Sequence, residues 1–274
     1  MHQSKLLFII LIVFLYSCKQ NVSSNQIISK TTFENKSIEK KYGCENEDDT
    51  TKCLEIKLSY PFAKNGEQLF DKNFNSIIDS ILVNQIKNFN ENTDSTNINK
   101  STLNDELDKF TNNYIDFAKN PDGNMYKRWE LEIDIAVVYE NDSIITINCN
   151  VYSFTGGAHP NTYLQIITIE KPSGKIIPCK TFFKDNQQIT NWLEDEFRKD
   201  KSLDKSVDLE QEGYFLKNGK FFLPDNIGFE KDSILFYYND YEIASHAEGP
   251  TALKIPISSI ESQLNPIIKS KVNH

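Results

Sequence analysis

Basic charge is scarce in this chain. Its 274 residues carry 30 Lys and Arg against 39 Asp and Glu, a formal net charge of −9. Phosphate backbones are held by clustered Lys and Arg, so nothing here forms a footprint for nucleic acid. Adhesion to anionic lipid by charge alone is excluded for the same reason. Long apolar runs are scarcer still. Only Leu6 to Leu15 is unbroken hydrocarbon, and a membrane-spanning helix needs about 20 such residues. A polytopic helical membrane protein is therefore excluded. Neither G-x-x-x-x-G-K-[ST] nor G-x-G-x-x-G occurs, so nucleotide binding has no support. There is no G-x-S-x-G elbow of the kind that presents a serine nucleophile. The five cysteines include no C-x2-C pair, which argues against zinc. No internal repeat is evident. Neither a cofactor nor a metal is expected, and no residue stands out as catalytic.

What remains is an ordinary globular composition, 39% hydrophobic and 25% charged, long enough for one large domain or two small ones. Lys19 to about Tyr42 is polar and aperiodic and reads as a tether. Leu54, Ile56, Leu58 and Tyr60 alternate, predicting a strand ended by Pro61. Phe70, Phe74, Ile77, Ile78, Ile81, Leu82 and Phe89 then recur at helical spacing, as do Leu103, Leu107, Phe110, Tyr114 and Phe117. Alternation returns from Trp129 to Val137 and from Ile145 to Val151, predicting a hairpin across Asn141-Asp142, and a further strand follows from Tyr163 to Glu170. Lys175 to Cys179 reads as a short strand that opens a second unit. A helix over Gln187 to Arg198 follows, with short β segments at Tyr214–Leu216, Lys220–Leu223, Ile227–Phe229, Ser233–Tyr238 and Ala252–Ile257, and Ser258 caps a last short helix. The expected fold class is α+β: two small modules, each an antiparallel sheet covered by helices. The expected division is 1–17, 18–43, 44–170, 171–266 and 267–274.

The N-terminal segment fits a secretory signal, with Lys5 before the apolar run. Cys18, directly after that run and Ser17, resembles the lipobox cysteine of bacterial lipoproteins. The resemblance implies cleavage before Cys18, its acylation, and a lipid-anchored protein of the cell envelope on the periplasmic or outer-membrane face. Plain secretion is the alternative. Removal of residues 1–17 takes away one cation, Lys5, and leaves a charge of −10. The other cysteines, Cys44, Cys53, Cys149 and Cys179, are even in number and allow three pairings. Cys44–Cys53 is the easiest local bridge; Cys149 and Cys179 would then pair across the fold.

Two stretches carry a further resemblance. One runs from Val151 through Thr155-Gly156-Gly157-Ala158-His159-Pro160-Asn161. The other runs from Phe221-Phe222-Leu223-Pro224 through Ile234 to Tyr238 and Tyr241-Glu242-Ile243-Ala244, Gly249 and Leu253 to Pro256. Together they resemble the paired extracytoplasmic domains of RsiV-type anti-sigma factors, which also precede the catalytic domain of PdaC-type peptidoglycan deacetylases. The similarity spans about Cys44 to Leu264. It implies a receptor-like ectodomain whose partner is a protein, lysozyme in the RsiV case, or a peptidoglycan-related ligand. The sigma-binding segment and the deacetylase domain have no counterpart in these residues, so neither activity is implied.

Thr155, Gly156, Gly157, His159 and Asn161 are candidate binding residues. Paired glycines let another chain approach closely, and the three polar side chains can hydrogen-bond. A wide connection between strands would account for them equally. Tyr241 and His246 are further candidates, within a segment that also reads as a polar turn. Ser245, His246 and Glu242 suggest a triad only by adjacency, whereas a triad is defined by geometry. Phe182-Phe183, Phe221-Phe222 and Tyr237-Tyr238 would each place one ring inward and leave one available for a ligand if they lie in strands.

Overall fold

The computed structural model describes residues 31–44, 52–90, 101–119 and 127–272; the signal segment and Cys18 lie outside them. Its first layer is a six-stranded sheet in the order β1-β2-β3-β4-β5-β6. The strands are β1 (Thr32–Tyr42), β2 (Leu54–Lys64), β3 (Trp129–Glu140), β4 (Ile144–Phe154), β5 (Asn161–Glu170) and β6 (Lys175–Ile177). Helices α1 (Gln68–Asn90) and α2 (Leu103–Lys119) connect β2 to β3, and this crossover makes β2 and β3 parallel. All other neighbours are antiparallel. The α+β class is as expected, but the first sheet is mixed.

The periodicities explain which face is covered. Phe70, Phe74, Ile78, Leu82 and Ile86 of α1, with Leu107, Phe110 and Tyr114 of α2, bury against the inward residues of β2 to β5. Each large side chain so buried contributes about 1.5–3 kcal/mol. Three boundaries differ from the sequence reading. Residues 32–42, expected to be tether, form β1, because Phe33 and Ile38 pack on the first core and every residue of β1 registers with β2. Strand β2 runs through Pro61 to Lys64. Its pairing with β3 has ended at Ser59, so Pro61 has a single neighbour and its missing N–H costs nothing. Strand β6 does not open the second module but completes the first sheet beside β5.

The second module starts with a 3-10 turn at Cys179–Thr181 and α3 (Asn186–Asp200). Asp185 caps α3 by accepting from the Gln187 and Gln188 amides. Strands β7 (Asn226–Glu230), β8 (Ser233–Tyr238) and β9 (Thr251–Pro256) form an antiparallel meander. The expected strands at 214–216 and 220–223 reduce to one isolated bridge, Lys217 with Lys220. Helix α4 (Ile257–Ile260) starts after Pro256 without a side-chain cap, so Ser258 is not its cap. Residues 267–272, expected as tail, belong to α5 (Pro266–Val272). It is held to the first sheet by Asn141 donating to the Lys271 carbonyl at 2.7 Å and by the Lys271–Glu170 ion pair.

The two sheets meet along β5. Leu164 and Ile166 pack on Leu235 and Tyr237 of β8. On the outer edge of β5, the Leu164 amide donates to Asn239 at 2.7 Å and the Ile166 amide to Asn226 at 3.0 Å, while Asn239 donates back to the Leu164 carbonyl. Two side chains thus take the place of a missing strand and close an edge that would otherwise invite pairing. Gly228 lies at the crossing point. A Cβ there would stand 2.3 Å from the Ile166 methyl and 2.9 Å from the Thr146 methyl, so only glycine allows this approach.

Candidate functional site

The helical layer leaves part of the sheet uncovered. A groove of about 740 Å3 opens between α1 and strands β4, β5 and β6. On the helix side Ser76, Ser80, Asn84 and Asn88 recur every four residues, which places them in one row beside Ile77 and Ile81. On the sheet side Tyr163, Gln165 and Ile167 alternate along β5 and point to the same face. Gln85, buried, donates to Gln165 at 3.0 Å across the floor. Burial pushes the Tyr163 hydroxyl above its ordinary pKa, against a hydrogen bond with Asn226 that opposes the shift. Among the described residues lining the groove there is no Asp, Glu, His, Cys, Lys or Arg.

The glycine-rich connection turns at the mouth of this groove. Gly156 has φ of +83°, a conformation that favours glycine, and the β4–β5 connection then delivers Asn161 to the groove lining. Thr155 stays exposed beside it. His159 is directed elsewhere. Its ring stacks on that of His246, with centroids 4.4 Å apart and planes 16° apart, and His246 stacks in turn on Tyr241 at 5.7 Å and 15°. The fold therefore joins three expected candidates, His159, His246 and Tyr241, across the two modules. Asn161 lines the groove instead, whereas Gly156 and Gly157 are not among its lining residues.

The stack has local supports that the sequence did not announce. Tyr241 takes φ of +63°, a left-handed conformation that costs a bulky residue about 1–2 kcal/mol. Asp240 Oδ2 accepts from His246 Nδ1 at 3.0 Å and from the Thr162 hydroxyl at 3.4 Å. Asp240 Oδ1 is buried without a hydrogen-bond partner among the described residues. Glu242 accepts the Asn239 amide at 3.0 Å, and burial raises its carboxyl pKa. No hydrogen bond links Ser245 to His246 among the described residues, so the adjacent Ser245, His246 and Glu242 do not make a triad. The groove row on α1 and Asp240 were both missed. Small polar residues at i, i+4 spacing beside an apolar stripe were the available signal for the first; Asp240 had none.

The cysteines divide. Cys44 and Cys53 form a disulfide, as expected. Cys149 and Cys179 are both free, which corrects the second expected bridge. Cys149 belongs to the first core and Cys179 packs at the edge of the second. Burial pushes the Cys149 thiol up to about 12, which makes it unreactive. The aromatic pairs also differ from expectation. Phe182, Phe183, Phe221 and Phe222 are all buried, because 182–183 follow the 3-10 turn and 221–222 lie outside any strand. Tyr238 is buried, and Tyr237 packs at the sheet junction.

With this geometry in view, the relatives are informative about architecture. Residues 47–162 match the family model described as Deacetylase PdaC. Residues 180–258 match that of a protein family of unknown function, DUF3298. No curated protein sequence matches the chain. The fold is similar to that of a DUF3298-family protein from Bacteroides fragilis, with a TM-score of 0.64 at 19% identity over 90% of this chain and 100% of the other. It is also similar to a DUF3298-family protein from Pseudomonas aeruginosa, with a TM-score of 0.58 at 18% identity over 88% of this chain and 96% of the other. The chain thus joins a PdaC-type region to a DUF3298 region, in that order.

Proposed function

We propose that this chain is a non-enzymatic, ligand-binding ectodomain of a cell-envelope lipoprotein, anchored through Cys18. Its ligand is a protein of the lysozyme type or a peptidoglycan-related molecule, as the family resemblance implies. One observation carries the binding half of this reading: the 740 Å3 groove is lined by apolar side chains together with amides and hydroxyls, but by no Asp, Glu, His, Cys, Lys or Arg among its described lining residues. General acid–base catalysis requires a positioned group able to exchange protons near the working pH. A groove lacking one holds its ligand and leaves it unchanged. Mixed apolar and polar lining is the ordinary composition of a ligand site. Two acyl chains on Cys18 would give stable membrane attachment where one would not.

The test is capture by the purified chain of c-type lysozyme in a pull-down and of peptidoglycan sacculi by sedimentation. The reading expects retention of one of them at micromolar concentration, and absence of both removes it. Mass spectrometry of the mature protein tests the anchor, with diacylglyceryl on Cys18 expected. A second reading, an envelope hydrolase using His159, has one observation in its favour: the His159 ring stacks on His246, whose Nδ1 is held by the Asp240 carboxylate. It predicts that a folded His159→Ala variant loses turnover of cell-wall substrate, and equal activity excludes that role.

A further inference from the structure

The groove beside α1 holds polar groups that the fold itself does not use. Ser153 lines it and is only 2% exposed, yet its hydroxyl has no hydrogen-bond partner among the described residues. A buried hydroxyl left unpaired costs stability, so a ligand group is the partner this side chain lacks. Gln85, 9% exposed, donates to the Gln165 side-chain carbonyl at 3.0 Å. That bond commits one group of each side chain. The Gln165 N–H groups and the Gln85 carbonyl have no partner among the described residues, so a donor and an acceptor stand together in the groove. A neutral secondary amide needs one of each. Ser76, Ser80, Asn84 and Asn88 line the facing wall over about 18 Å of helix. Tyr163, 44% exposed, offers a ring face.

Chemistry narrows what fits. A charged group entering the groove would lose its hydration to a lining with no counter-ion among its described residues. An extended peptide docks by adding a strand to a free sheet edge, and β5 offers none. Strand β4 pairs with it from 161 to 170, β6 covers its last residues, and Asn226 and Asn239 hold the Ile166 and Leu164 amides. A helical peptide would press an apolar face against the polar row of α1. What remains is a neutral ligand, rich in hydroxyls, that carries its amides as side groups. We infer that the groove takes a short, uncharged glycan of acetamido sugars. One acetamido group sits against Gln85, Gln165 and Ser153. The row on α1 binds ring hydroxyls, and Tyr163 lies under the apolar C–H face of a sugar. A volume of 740 Å3 suits a small oligosaccharide. The assignment rests on the reading that the groove binds a ligand and narrows it, since a sugar bearing a carboxylate is shut out.

Calorimetric titration of the purified chain with chitotetraose tests it. Cellotetraose, which lacks the acetamido groups, and the fully deacetylated, cationic tetramer serve as comparisons. One chitotetraose per chain is expected, with each comparison sugar bound at least tenfold more weakly. Ser153→Ala should weaken chitotetraose about two- to tenfold, the effect of one neutral hydrogen bond. Its melting temperature should hold or rise, because the hydroxyl has no partner in the fold to lose. Tyr163→Ala should weaken the sugar about two- to tenfold through the lost ring contact. No binding at about ten times a millimolar dissociation constant overturns the assignment, as does equal affinity for cellotetraose. Unchanged affinity in the Ser153→Ala/Tyr163→Ala double variant also overturns it, because the sugar would then sit outside the groove. A chain that retains lysozyme or sacculi but ignores chitotetraose loses this assignment and keeps the wider reading; a chain that ignores all three loses both.

Discussion

Strand β5 presents two faces with opposite fates. Leu164 and Ile166 point to one side and are sealed by β8 and the close approach of Gly228. Tyr163, Gln165 and Ile167 point to the other and border an open groove. The strand is the same and the alternation is the same, so backbone propensity does not explain the difference. Side-chain chemistry does. The sealed face is aliphatic, and its edge amides are satisfied by Asn226 and Asn239. The open face carries two polar side chains opposite a polar row on α1. A buried polar surface without partners would cost free energy, so this face stays available to water or to a ligand. The sealed face is structure, and the open face is the one to which the proposed reading assigns the ligand.

The largest way to break this contrast is at the crossing point. Gly228→Val should place methyl groups against Ile166 and Thr146, and overpacking of this kind costs about 1–3 kcal/mol, with more where backbone must shift. Urea denaturation should show the loss, and unchanged stability would mean the sheets are not in close contact. Next are the edge asparagines. Asn226→Ala and Asn239→Ala should each cost about 1–3 kcal/mol, because each leaves a buried β5 amide without its acceptor. Their amides at Leu164 and Ile166 should also exchange hydrogen faster. The open face should behave otherwise. Asn84→Ala sits on exposed α1 surface, where alanine is the better helix former, so stability should stay within about 0.5 kcal/mol. The smallest effect is chemical. With its thiol raised to about 12 by burial, Cys149 should resist alkylation at pH 8 in the folded chain and react only on unfolding, whereas Cys179, at a partly open edge, should react first.

Much of this division could be read from the residues. The apolar stripes of α1 and α2 and the alternation in β3, β4 and β5 mark their elements, because local periodicity decides which face is buried. Strand β1 escaped that reading. Glu34, Lys36, Glu39, Lys40 and Lys41 suit an edge strand facing water, yet they are indistinguishable from tether until β2 is beside them. The placing of α5 on the flank of the first sheet depends on a contact across more than 100 positions, Lys271 with Glu170, whereas β6 joins that sheet through its near neighbour β5. At the candidate site, the Gly156–Asn161 segment was identifiable by its glycines. The meeting of His159 with His246 was not, since 87 residues separate them and only the packing of the two sheets brings them together.

The central claim is that the uncharged groove binds a ligand. Sedimentation of the purified chain with peptidoglycan sacculi and pull-down with lysozyme, each compared with an Asn84→Lys variant, address it most directly. The variant places a cation on the groove wall while the fold keeps its melting temperature. The account predicts that the wild-type chain is retained by one of these partners and that the variant loses at least tenfold of that affinity. Equal retention of both chains, or cleavage of the wall by the wild-type chain alone, would contradict it.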